Sequence, residues 1–319
     1  MKKNSKKAFT LLEMIFVILI SGILSIGTFK AFQALYIRSA KAKAVTDLSM
    51  QSQIVLDQIS RLLYNRIPHS VIGYDGTNNN SDSCMPIEEI SSEKYKVLEW
   101  LSLDDYQLIS RKYSGFIDMN TSSHSKPDLN ASGVHDLNIT DRNLIFAGSF
   151  DGGNEDISTC EGAYGWHGND SNLSFTIDGS SDDNISLDCN QDDVNNSEYI
   201  YEKYYLTDGA FAVARGADID KDADCIDRLH QDQDRQDSNN TLYLFYNYHP
   251  YKDKDQNHKD ITYCADKSGT QEGNVSILSY DVVSFGAIYV NDIINLKIDM
   301  NRSINGAHSV HITKQKAVF

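Results

Sequence analysis

Hydrophobic positions are spread very unevenly along the 319 residues. From Ala8 to Phe29 run 22 residues in which Glu13 is the only ionisable side chain. With a rise of about 1.5 Å per residue, a helix of that length crosses a hydrocarbon core of about 30 Å. Beyond Lys30 the apolar residues thin to a stripe. Phe32, Leu35, Tyr36, Val45, Leu48, Ile54, Leu56, Ile59, Leu62 and Leu63 recur at three- and four-residue steps, the spacing of a helix with one dry face. No glycine or proline interrupts between Gly27 and Pro68. The pattern predicts one helix over residues 9–67, about 88 Å long, or two shorter ones kinked near Gly27. Pro68 and Gly73-Tyr74-Asp75-Gly76 are expected to end it.

After residue 68 the period shortens to that of strands, and long polar stretches separate the apolar runs. Strands are predicted over residues 143–150, 173–177, 199–206, 210–214, 241–248, 277–290, 293–300 and 309–313. Residues 107–117 form a further strand candidate, and 94–103 suit a short helix or a strand. In Leu296-Lys297-Ile298-Asp299-Met300 the alternation is clean, which gives one wet face and one dry one. A helix followed by strands is the α+β pattern: a long N-terminal helix carrying a β-rich head.

Charge sharpens this division. The formal net charge is −16, yet the first eight residues carry +4 and residues 9–67 carry +3, which leaves −23 for residues 68–319. An acidic body argues against nucleic acid, whose phosphates need a basic face. A basic head end and an acidic body point to different surroundings for the two ends.

Three explanations compete for the apolar segment. A secretory signal peptide would have a shorter core and a small-residue cleavage site directly after it; Ala-Lys-Ala occurs at 40–42 and 42–44, but inside the helical pattern. A plain single-span anchor explains the length but has no use for Glu13, since a carboxylate costs about 2.5–3.5 kcal/mol at mid-span. Flanking charge does not settle orientation, because Lys30, Arg38, Lys41 and Lys43 follow the span on its other side. The third explanation uses every feature. Lys6-Lys7-Ala8-Phe9-Thr10-Leu11-Leu12-Glu13 resembles the N-terminal signal of type IV pilins and type II secretion pseudopilins. The sequence departs from that family at Ala8, where glycine is usual, and in having no proline before Pro68.

The resemblance implies a leader over residues 1–8, cut by prepilin peptidase between Ala8 and Phe9, with N-methylation of Phe9. It implies a transmembrane half-helix at 9–30, an exposed half-helix at 31–67 and a head at 68–319. Glu13 would neutralise the new amine of a neighbouring subunit and set the register between stacked helices. Partners would be the peptidase, the inner membrane and other pilin subunits, with a single pass and the head in the periplasm. Residues 51–63 and 283–300 look like the lower helix and last strands of large minor pilins and the J-type pseudopilin. The large head fits a minor subunit better than a bulk repeat. Such a protein is not an enzyme, and the sequence has no HExxH, GxSxG or Walker pattern. The rival classes are a membrane-anchored extracytoplasmic binding domain, such as a Ca²⁺-dependent adhesin, and an exported hydrolase.

Two further patterns bear on the head. Asp218, Asp220, Asp222, Asp224 and Asp227 alternate like the first half of an EF-hand loop and could converge on Ca²⁺. Ala223 and Leu229 stand where that loop needs Gly and Glu, so an irregular loop or a solvated acidic run are the two alternatives. Asp182, Asp183, Asn184 and Asp188, with Asp192 and Asp193, form a weaker candidate. No cofactor is required by the reading. Cys160 and Cys189 bracket one polar insertion and Cys225 and Cys264 another; in an exported head they suit disulfides of open pairing, with Cys84 as the spare.

Overall fold

The computed structural model describes residues 10–74, 84–91, 95–120, 128–147, 174–188, 200–219, 226, 229, 238–249, 273–304, 306 and 308–319. Helix α1 is continuous from Leu11 to Tyr64, so no break occurs at Gly27. Its 54 residues make a rod about 81 Å long. It ends before Pro68. Asn65 caps it by donating its backbone N–H to Leu62 and Leu63, and Arg66 Nη1 donates to the Leu63 carbonyl at 2.7 Å. The chain then hands its backbone groups to a strand, Ile67 N–H bonding Leu101 and Leu103 N–H bonding Asn65.

The strands form two sheets. The larger contains β1 (Ile72–Tyr74), β2 (Cys84–Pro86), β3 (Val97–Leu103), β4 (Asp128–Asn130), β5 (Asn143–Phe146), β6 (Ser174–Ser181), β7 (Asn184–Asp188), β8 (Tyr204–Arg215), β9 (Leu242–Tyr248) and β10 (Asn274–Ser279). The smaller is an antiparallel meander of β11 (Val282–Val290), β12 (Ile293–Ile304) and β13 (His308–Val318). The described architecture is therefore α+β, with a strand-rich head behind the helix.

Strand β8 organises the larger sheet. Leu103 to Leu98 of β3 pair with Thr207 to Val213 along one edge. On the other edge β5 takes Tyr204–Thr207 and β9 takes Ala210–Arg215. The two separate strands expected at 199–206 and 210–214 are thus one. Gly209 joins them with φ of 147°, and a Cβ there would lie 3.2 Å from the Asn247 backbone. That conformation suits glycine and lets the strand bulge rather than stop.

Three other expectations are corrected. Residues 107–117 do not form a strand. Asp105–Ile109 is a short helix, α2, because the Asp104 side chain caps it by accepting from Gln107 N–H at 3.2 Å. The span 277–290 is two strands, split at Tyr280-Asp281, where Asp281 adopts φ of 63°. Gly73, expected in a turn, lies inside β1, where a Cβ would clash with Ile90 and Tyr95.

The lower half of α1 is the hub of the principal core. Ala44, Leu48, Ser52, Val55, Leu56, Ile59 and Leu63 are buried, a 3.6-residue stripe. It meets Phe285, Leu296 and Ile298 of the small sheet and Leu98, Trp100 and Val213 of the large one. The one polar member, Ser52, donates its hydroxyl back to the Ser49 carbonyl. On β12, Ile294, Leu296, Ile298 and Met300 face in, while Asp299 faces out and accepts from Ser284 at 2.7 Å. The wet-and-dry alternation read at 296–300 is present.

Polar clamps fasten helix to sheet along the rim of this core. Lys316 of β13 donates to Asp57. Arg302 of β12 reaches Asp281 at 2.7 Å, Gln51 at 3.3 Å and Asp47 at 3.8 Å.

Leu56→Ala should cost about 2–5 kcal/mol in urea unfolding, as for other fully buried leucines, while Ile54→Ala, half-exposed two residues away on another face, should stay within about 0.5 kcal/mol. The hydrogen bond from Lys316 holds Asp57 below its ordinary value of 3.8. The bond therefore stabilises the fold above the unfolded carboxylate pKa and is lost as pH falls through the lower folded one. Lys316→Met should remove this part of the acid sensitivity, read as a flatter dependence of the unfolding midpoint on pH between about 5 and 2.

Candidate functional site

Thr10 and Glu13 build the start of α1 together. Thr10 has extended dihedrals, φ −78° and ψ 150°, and its hydroxyl accepts from Glu13 N–H at 3.3 Å. Glu13 reaches back, and its Oε2 accepts from Thr10 N–H at 3.0 Å and from the Thr10 hydroxyl at 3.1 Å. This reciprocal capping box satisfies orphan donors of the first turn and sets a negative charge at the positive end of the helix dipole. Both bonds fall on Oε2. Glu13 is exposed, and its Oε1 accepts no hydrogen bond from a described residue.

From Leu11 to Tyr36 every residue is exposed, including Leu11, Ile18, Ile23 and Phe29 at 65–80 %. Contact with the head begins at Ile37, Ala40 and Lys41. A bare apolar cylinder of 26 residues, about 39 Å, thus projects from the head. Two of its hydroxyls bond back to the helix's own backbone. Ser25 donates to the Ser21 carbonyl at 2.7 Å, and Thr28 to Leu24 and Ser25 at 3.0 Å. Such bonds let hydroxyls sit in hydrocarbon with no unpaired donor. Among the described residues α1 is the one helix long and apolar enough to cross a membrane.

The other candidate residues fare differently. Ala8 and Phe9 lie outside the described residues, as do Cys160, Cys189, Cys225 and Cys264, and no side chain is described for Cys84. Asp220, Asp222, Asp224 and Asp227 also lie outside, along with Asp192 and Asp193. Asp218 is described and buried. Its two oxygens accept from Arg215 Nε and Nη2 at 2.8 and 3.1 Å, and Lys96 approaches at 3.5 Å. Two cations already occupy the carboxylate. Asp182 and Asp183 sit in the β6–β7 turn, where Asp183 accepts from Gly133 N–H at 2.7 Å and Asp182 lies 3.4 Å from His135. Among the described residues no group of three or more His, Cys, Asp or Glu side chains is placed to hold a metal.

The sequence reading passed over Thr10, although Thr-x-x-Glu ahead of an apolar run is the capping-box signature. It also passed over Arg302, Lys316, Asp47 and Asp57, whose partners lie about 250 residues away and leave no local pattern.

The prokaryotic N-terminal methylation motif matches residues 3–29, the segment whose described part is the capping box and bare helix. Motif and helix together support a type IV pilin-like or pseudopilin precursor, one that a prepilin peptidase processes and that assembles with other pilin subunits. No curated protein and no solved structure matches the chain.

Thr10→Ala should loosen the first turn by about 1 kcal/mol. In detergent micelles, amide exchange at Glu13 should then speed up about fivefold while exchange at Leu56 stays unchanged.

Proposed function

We propose that this chain is a non-enzymatic minor pilin or pseudopilin subunit of a type IV pilus or a type II secretion-like filament. Prepilin peptidase cuts between Ala8 and Phe9, and Phe9 becomes the N-methylated terminus. The bare half of α1 holds the subunit in the inner membrane with its head in the periplasm, and later packs among the helices of the filament. The observation that carries the reading is Glu13 at the first turn of a rod with no head contact for 26 residues.

The chemistry of Glu13 fits that role. A carboxylate at the end of a hydrophobic span is costly unless it is paired. The capping bonds offset part of that cost in the free subunit, on Oε2 alone. Oε1 remains for the ammonium of an adjacent subunit, and in low dielectric that attraction is strong enough to select one axial register. Size supports a minor position. A head of some 250 residues in two sheets is large for a repeating unit and suits a position that occurs once or a few times per filament.

The mature N-terminus decides the first step. Mass spectrometry should find a chain beginning at N-methyl-Phe9, and an intact Met1 would sink the proposal. Two variants then separate charge from capping. Glu13→Gln keeps an acceptor for the Thr10 N–H, whereas Glu13→Val keeps neither acceptor nor charge. Both should be processed normally, and both should fail to enter filaments. Assembly of the Gln variant at the wild-type level would show that Glu13 acts only as a cap.

A further inference from the structure

Four basic residues, Lys30, Arg38, Lys41 and Lys43, follow the apolar segment; processing uses none of them, and only Lys41 is partly covered by the head. No acidic residue occurs from Met14 to Thr46, so this stretch carries +4 in a chain of net charge −16. None of the four is joined to another described residue by an ion pair, and Lys30, Arg38 and Lys43 are exposed. By contrast, both acids of the lower helix are occupied, Asp47 by Arg302 and Asp57 by Lys316.

Their height along the rod is fixed by the helix. The uncharged apolar run from Met14 to Phe29 ends at Lys30, and with the capped first turn it spans about 28 Å, the depth of a hydrocarbon core. Lys30 therefore emerges at the lipid–water boundary, and Arg38 stands about 12 Å further out. Lys41 and Lys43 follow within another turn and a half, and their long stems can lean back toward the surface. The β12–β13 hairpin points the same way. From Lys316 beside Asp57 to Arg302 beside Asp47, the hairpin runs toward the N-terminal end of α1, and its exposed His308 lies beyond Arg302. The four cations on α1 thus form a basic collar on the helix beneath the head, below a body that is otherwise acidic.

We propose that this collar binds anionic phospholipid headgroups of the leaflet through which α1 leaves the membrane. The bond holds the head against the surface until the subunit is drawn into a filament. The inference rests on the membrane-anchored reading given above. Headgroups are favoured over an acidic neighbouring head because Lys30 sits at the boundary height set by α1 and the long stems of Arg38, Lys41 and Lys43 lean back toward it from about 12–20 Å further out. The acidic body would be repelled from the same surface, so the attraction orients the head as well as tethering it.

The full chain, reconstituted into vesicles of phosphatidylcholine or of phosphatidylcholine with about one-third phosphatidylglycerol, provides the test. Acylation of Lys30, Lys41 and Lys43 is measured by mass spectrometry as a ratio to Lys96 and Lys203 of the same molecules. On anionic vesicles the ratio should fall at least about threefold relative to neutral ones, and about 0.5 M salt should restore it. Lys41→Gln with Lys43→Gln should weaken the salt-sensitive protection of Lys30 without changing flotation. Equal ratios on both vesicles, with the chain floating on both, would overturn the collar and leave the anchor intact. Failure to float on either would instead remove the anchor itself. Protection that follows protein density on neutral vesicles would overturn the lipid assignment in favour of a neighbouring acidic head.

Discussion

One unbroken helix has to satisfy two solvents, and every other feature of the molecule follows from that. The first 26 residues of α1 touch nothing in the head, so they need a mainly apolar surface and backbone bonds for hydroxyls such as those of Ser25 and Thr28. The remaining residues face water on one side and protein on the other, so the apolar surface narrows to a stripe. A helix can change partners in this way because its backbone bonds are all internal. A strand could not.

The head is built to grip the second half of that rod. The meander β11–β12–β13 supplies a dry face of alternating residues, and the larger sheet closes the same core from another side through Trp100 and its neighbours. Apolar contact supplies most of the hold but little direction. Direction comes from the rim, where Lys316 and Arg302 fix the helix axially against Asp57, Asp47 and Gln51. Any pull on the bare half would be transmitted to the head through this junction. That is the mechanical demand on a subunit hauled out of a membrane.

Electrostatics divides the molecule at the same place. Above Lys43 the acids dominate, and many are already committed, as Asp218 is to Arg215 and Lys96 and Asp104 is to Arg142. Below it, four basic side chains form no ion pair with any described residue, and in the membrane-anchored reading they stand near the lipid surface. The helix therefore carries a charge boundary as well as a solvent boundary, and the two coincide within about two turns.

Much of this was legible in the residues alone. The length of the span, the stripe from Leu48 to Leu63, the strands of the last forty residues and the special position of Glu13 are local patterns, and local patterns survive without a partner in view. Thr10 was equally legible and only its neighbour was read. The rest depended on distant pairing. Residues 107–117 alternate well enough for a strand, but the Asp104 cap and the buried Gln107 side chain tie the first turn into a helix instead. Asp218 stood in the sequence only as one of five alternating acids, and the fold adds what that pattern could not show, Arg215 and Lys96 against its carboxylate. Periodicity and residue chemistry determined which segments are dry and which element each becomes. Which strand lies beside which, and which charge meets which, were decided only by the tertiary structure, because those choices are made between residues that the chain holds up to 259 positions apart.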